Sequence, residues 1–192
     1  MVNRKIKILL AANFINCFGL SFLTPVFALY VSRIDANPAM AGIAWSVNML
    51  VLATLILVFG RYENKLKHHE KLIVWGYILM SVGALSYLLV HSIWQLFAVQ
   101  AFYAIGQGMS IPAYRTIYTK GEDKGKITVE WSMADANLRY AMAAGAAAGG
   151  LILKYAGFSS LFVGIAAFEL LSAGIAMSLL NDQKLKPSPS YD

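Results

Sequence analysis

The sequence has one cysteine, Cys17, five prolines and few charges in its 192 residues. A single thiol excludes an intramolecular disulfide framework and any cluster of thiolate metal ligands. Charged residues make up 14% of the chain and hydrophobic residues 58%, against roughly 25% and roughly 45–50% in soluble domains. That balance excludes an ordinary soluble domain, and a mean hydropathy of +0.59 excludes intrinsic disorder. Strand-length segments of alternating polarity, which a membrane barrel requires, are missing. Acidic side chains are the scarcer sign, 10 against 16 Lys and Arg. The resulting +6 is no nucleic-acid footprint, because the basic residues sit in short runs between long apolar stretches.

Those apolar stretches are what the sequence has in abundance. A hydrocarbon core about 30 Å thick takes about 20 residues of helix at 1.5 Å rise. Segments near 8–30, 40–59, 72–90, 93–113, 134–153 and 158–180 meet that length. They predict an all-α integral membrane protein, with one six-helix transmembrane domain over 1–183 and a tail over 184–192. The first stretch is too long for a cleaved signal peptide and has no small-x-small site after it, so it is expected to stay as a span.

Charge sets the expected orientation. Lys and Arg cluster at the start (Arg4, Lys5, Lys7), after the second span (Arg61, Lys65, Lys67, Lys71), after the fourth (Arg115, Lys120, Lys124, Lys126) and in the tail (Lys184, Lys186). The opposite side carries Arg33 and Lys154 alone. This bias predicts both termini in the cytoplasm and insertion in the cell (inner) membrane. The long connection from Tyr114 to Met133 divides the spans into two triplets of opposed direction, the layout of inverted transporter repeats.

No residue constellation supports enzyme chemistry. There is no nucleophile elbow, no phosphate loop and no His pair at helical spacing, and Gly106-Gln107-Gly108 lies within a span rather than after a strand. His68-His69 lies in a basic turn with no further ligands expected around it. The reading is a non-enzyme with no metal and no cofactor.

Polar side chains inside the spans are the informative ones, because each is costly in hydrocarbon unless it meets protein or water. Gln100, Tyr103, Gln107 and Ser110 are spaced three, four and three apart, which is one helical face. The first span carries Asn13 and Asn16, and the second Ser46 and Asn48. These polar groups serve either as hydrogen bonds between helices or as the lining of a solute cavity. The four-residue stripe exceeds what joining two helices needs, so Asn13, Asn16, Asn48, Gln100, Tyr103, Gln107 and Arg139 are the expected cavity residues.

Arg139 is a full charge within the fifth span, and Asp135 stands four residues before it, in reach of an ion pair. Glu169 lies mid-way along the sixth span. A carboxylate there costs several kcal/mol unless it is protonated, paired or wet. Arg139 is its candidate partner, with a charge pair or a proton site as the two roles. Gly145 and Gly149 form a GxxxG spacing that lets two backbones approach, and Gly150 extends it. Pro25 and Pro112 each remove a backbone hydrogen bond and allow a kink.

With those residues in hand, the chain resembles the six-helix N-terminal half of a major facilitator superfamily transporter. Gly60-Arg61-Tyr62-Glu63-Asn64-Lys65 and the basic run to Lys71 resemble the cytoplasmic signature Gly-x-Leu-x-Asp-Arg-x-Gly-Arg-Arg, with Asn64 in place of the aspartate and Lys67 in place of the second glycine. Gln100 to Pro112 resembles the Arg-x-x-x-Gly pattern of the fourth span, with Gln100 replacing the arginine. Gly145, Gly149 and Gly150 resemble the glycine-rich signature of antiporters, and Ala156-Gly157-Phe158 to Phe162 the start of the sixth span. The resemblance implies secondary transport of a small solute by alternating access, with the first and fourth spans lining the cavity and Gly60, Arg61, Asn64 and Lys65 at the cytoplasmic gate. It also implies a second half opposite the first, supplied here by a second copy whose second span packs on the fifth. The alternatives are a membrane scaffold without transport and one subunit of a heterodimeric transporter.

Overall fold

The computed structural model describes residues 4–62, 68–121 and 125–183, with side chains to 180. Helix α1 spans Arg4–Leu20, α2 Phe27–Val31, α3 Ala39–Tyr62, α4 His69–Ser86, α5 Ile93–Gly121 and α6 Ile127–Gln183. Short 3₁₀ turns at Thr24–Val26 and Tyr87–Leu89 follow α1 and α4. No strand occurs among the described residues.

The helices depart in part from the six segments expected from hydropathy. The first expected span breaks after Leu20, because Pro25 has no N–H to continue the α pattern and the backbone tightens into a 3₁₀ turn before α2. The fifth and sixth expected segments form the two arms of α6, which meet at Gly157, where the backbone is not helical. Four stretches are long and apolar enough to cross a membrane: Arg4–Val31, Ala39–Tyr62, His69–Leu89 and Ile127–Leu180. Helix α5 is not among them, since Gln95, Gln100, Gln107 and Ser110 dilute its apolar content.

Gly157 is the pivot of α6. Its φ of 78° and ψ of −179° belong to a region open essentially to glycine alone. A straight helix over 127–180 would be about 80 Å long at 1.5 Å per residue. Yet Gly145, before the pivot, lies against the Phe18 carbonyl, and Phe168, after it, packs its ring on Phe18 at 5.0 Å. The two arms therefore double back along the same face of α1.

Packing proceeds outward from α6. Its arms contact α1 and α4; α4 then packs on α5, and α5 on α3, while α1 and α5 touch only sparsely. Small residues set the close crossings. A Cβ on Gly76 would fall 2.7 Å from the Gly106 carbonyl oxygen, and one on Gly106 2.6 Å from that of Gly76, so this pair lets α4 and α5 meet backbone to backbone. Gly145 and Gly149 do the same for α6 on α1, facing the backbones of Phe18 and Phe22. Gly150 has open space where its Cβ would be and takes no part in that contact, because it points a helical step away from α1.

Interhelical hydrogen bonds add direction. Asn137 Nδ2 donates to the Leu10 carbonyl at 3.1 Å, Ser81 Oγ to that of Ala166 at 3.0 Å, and Asn48 Nδ2 to that of Gln100 at 3.0 Å. Each contributes about 0.6 kcal/mol in a membrane setting. Beside the pivot, Tyr30, Tyr87, Phe158 and Phe162 form one aromatic cluster, in which Tyr87 and Phe162 stack at 5.0 Å and the Tyr30 hydroxyl donates to the Tyr87 carbonyl at 2.8 Å. At the other end α5 runs past Pro112 to Gly121, beyond its expected limit. Ile117 and Tyr118 are buried there, and Tyr118 donates to the Glu130 carbonyl, so tertiary contacts hold what hydropathy alone would have ended.

Candidate functional site

Because α1 and α5 barely touch, a cleft runs between them, and two partly open cavities occupy it. The first, about 250 Å³, lies toward the Thr24 end of α1 and is lined by Phe27, Trp45, Asn48, Gln100, Tyr103 and Gln107 among others. The second, about 320 Å³, lies toward the Asn13 end and includes Asn13, Asn16, Ser110, Arg115, Trp131 and Asp135. Gln107, Cys17, Leu20 and Leu138 belong to both walls, so the cavities meet edge to edge.

Helical spacing on α5 explains half of this wall. Gln100, Tyr103, Gln107 and Ser110 are all buried and share the face turned to the cleft. Asn13 and Asn16 of α1 supply the facing side, and Asn48 is carried on the one stripe of α3, Ala44-Asn48-Leu52, that is buried. Six of the seven side chains expected at a cavity thus come together in the cleft. Arg139 does not. It is exposed and lines neither cavity, because its position on α6 turns it away from α1.

Glu169 is fully buried, with 0% exposure, between the two cavities. Its partner is not Arg139. Its Oε1 accepts the Tyr103 hydroxyl at 3.0 Å and its Oε2 the amide of Asn16. Tyr103 lines the first cavity and Asn16 the second, so this one carboxyl ties α5, α1 and the second arm of α6 at the point where the cavities meet. Asp135 is exposed at the mouth of the second cavity, and among the described residues no ion pair joins it to Arg139.

Other polar groups are already committed. Ser21 Oγ donates to the Cys17 carbonyl at 2.7 Å, while Asn48 and Tyr103 donate as given above. Gln107 Oε1 is buried without a hydrogen-bond partner, and an orphan carbonyl of that kind costs about 1–3 kcal/mol unless a ligand or water satisfies it.

Arg115, Trp45 and Cys17 were not expected as wall residues, and Asp135 was expected as a partner of Arg139 rather than in a cavity wall. The 3.6-residue period could have placed Arg115 near the Gln107 face, since it lies eight residues on. It could not have found Trp45. His69 is buried rather than on a solvated turn, with Lys120 Nζ 3.4 Å from its Nε2. Among the described residues no group of three or more His, Cys, Asp and Glu could hold a metal ion.

Of the expected gate residues, Gly60 and Arg61 end α3 as exposed residues, and a Cβ on Gly60 would meet nothing within 4 Å. Asn64 and Lys65 lie outside the described residues, as does the tail over 184–192. Comparison with curated proteins returns no match. The family model of the Major Facilitator Superfamily matches residues 9–191. With spans long enough to cross a bilayer and a match over nearly the whole sequence, this chain belongs to the Major Facilitator Superfamily of membrane transporters.

Proposed function

We propose that the protein is a secondary transporter that moves a small solute through the α1–α5 cleft by alternating access. The observation that carries this reading is the pair of cavities sharing Gln107, one toward each end of α1. A solute held at Gln107 would face one mouth or the other as the wall rocks. In this reading the chain crosses the bilayer six times, α5 and both arms of α6 each counting as a span, with both termini in the cytoplasm. Asn13, Asn16, Asn48, Gln100, Tyr103 and Gln107 contact the solute, and the end of α3 from Gly60 belongs to the cytoplasmic gate. Gly145 and Gly149 serve the α1–α6 contact.

A second copy of the chain supplies the wall opposite the cleft. Support comes from α3, which buries Ala44, Asn48 and Leu52 alone, leaves Trp45 and Met49 exposed in the wall of the first cavity and leaves Leu50 exposed as well. The expected experiment uses single cysteines at Thr24 and Ile111 in a Cys17→Ala background, in liposomes, with a membrane-impermeant thiol reagent. Thr24→Cys should react from one side and Ile111→Cys from the other, and modifying one should slow the other. Reaction at neither position would refute a watery cleft. Cross-linking in the same liposomes that yields monomers alone would refute the second copy.

A second reading of Glu169, as a proton carrier, is favoured by its bonds to Tyr103 of one cavity and Asn16 of the other. Glu169→Gln should then abolish flux-linked alkalinisation or acidification while leaving solute exchange intact.

A further inference from the structure

Among the described residues no charged side chain lines the first cavity, and its hydrogen-bonding groups are unevenly spent. Three donors are consumed inside the bundle: the Asn48 amide on the Gln100 carbonyl at 3.0 Å, the Tyr103 hydroxyl on Glu169 at 3.0 Å, and the Ser21 hydroxyl on the Cys17 carbonyl at 2.7 Å. The two hydroxyls keep oxygen lone pairs and have no further proton to give, while the Asn48 amide keeps its carbonyl oxygen and one N–H. Gln107 adds a buried carbonyl oxygen with no partner at all. Donors remain on the Asn48, Gln100 and Gln107 amides, on Thr24, on the Tyr87 hydroxyl and on the Trp45 indole, so the Gln107 oxygen is what sets the preference. Behind Tyr103 stands the Glu169 carboxyl, bonded to Tyr103 and Asn16. The rest of the wall is apolar or aromatic, with Phe27, Trp45 and Met49 among its members.

Resting on the transport reading above, we infer that the first cavity takes a compact, mostly apolar solute carrying a hydrogen-bond donor, a hydroxyl or an amine N–H set on Gln107, and rejects anions. A cavity of about 250 Å³ holds a ring-sized body with one short polar arm. A carboxylate or phosphate would meet no cation among the lining residues, would stand near the Glu169 carboxyl behind Tyr103, and would leave the Gln107 oxygen unsatisfied. Where a site is built to hydrogen-bond a donor, the analogue lacking it is rejected far more strongly than one lacking a methylene.

The test is protection of a reporter thiol. Met49, exposed on α3 and part of this cavity wall, is replaced by cysteine in Cys17→Ala protein in liposomes. Its reaction rate with a small water-soluble thiol reagent is then measured with four probes at matched concentrations: benzyl alcohol, benzylammonium, methyl benzyl ether and benzoate. Labelling of an exposed cysteine at Tyr155, remote from the cavity, corrects for probe effects on the bilayer. The expected result is protection by the alcohol, the ammonium or both at concentrations at least fivefold lower than by the ether, with none from benzoate. Alcohol alone identifies a neutral solute, and ammonium alone a cationic one. Gln107→Met should abolish the preference over the ether while leaving the ether's own weak protection. Equal protection by alcohol, ammonium and ether, protection by benzoate, protection by no probe, or a preference unchanged in Gln107→Met would each overturn the inference. A reactive thiol with no donor preference leaves the watery cleft standing, whereas a thiol that never reacts removes both readings.

Discussion

The α1–α6 contact offers a perturbation that carries its own control. Gly145, Gly149 and Gly150 lie within five residues of one another on the same arm of α6, and replacing each by alanine adds the same methyl group. The gain in helix propensity, about 1 kcal/mol, is common to all three. What differs is the destination of the methyl. At Gly145 it meets the Phe18 carbonyl and at Gly149 the Phe22 backbone, whereas at Gly150 it meets nothing within 4 Å. Overpacking costs about 1–3 kcal/mol, and backbone atoms cannot swing aside as a side chain can. The high end of that range therefore applies. Gly145→Ala and Gly149→Ala should each be about 2–3 kcal/mol less stable than Gly150→Ala, a factor of roughly 30–150 in the folded ratio. Reversible unfolding in mixed detergent micelles, followed by circular dichroism, measures the three side by side. Stabilities that agree within about 0.5 kcal/mol would refute the close backbone approach on which the α1–α6 packing rests.

Three further outcomes follow from the same geometry. Gly157→Ala should cost about 1–3 kcal/mol from backbone strain alone, since its Cβ would meet nothing within 4 Å; a neutral result by the same unfolding assay would mean that α6 does not reverse there. A double-mutant cycle of Tyr103→Phe with Glu169→Gln should show coupling of about 1 kcal/mol or more, and coupling below about 0.3 kcal/mol would remove the bond that ties α5 to α6. Arg139→Gln, exposed and outside both cavities, should change stability by less than about 0.5 kcal/mol and leave thiol accessibility in the cleft as it was; loss of either would return Arg139 to the site.

The residues of the cleft were legible in the sequence to the extent that they sit on one helix. Gln100, Tyr103, Gln107 and Ser110 form a stripe by period alone, and the cost of burying them in hydrocarbon says that they must face protein or water. Asn13 and Asn16 were readable for the same reason. Arg139 was not placed by the sequence, because depth along a helix says nothing of azimuth; in the structure it is exposed and lines neither cavity. The partner of Glu169 was equally out of reach. Two polar groups 153 residues apart, Asn16 and Glu169, carry no mark of each other in a single sequence, and charge complementarity nominated Arg139 where geometry selected an amide and a phenol.

Composition and the lengths of apolar runs determined by themselves that this chain is helical and lives in a bilayer, because backbone groups in hydrocarbon must be satisfied within their own segment. Tertiary structure alone decided which helices meet. Glycines at 76, 106, 145 and 149 each face a neighbouring backbone, and Gly157 folds α6 back on α1. Close approach depends on which face of a helix a missing side chain occupies and on what lies across from it. Those relations are set by packing between segments far apart in the chain, and no local pattern encodes them.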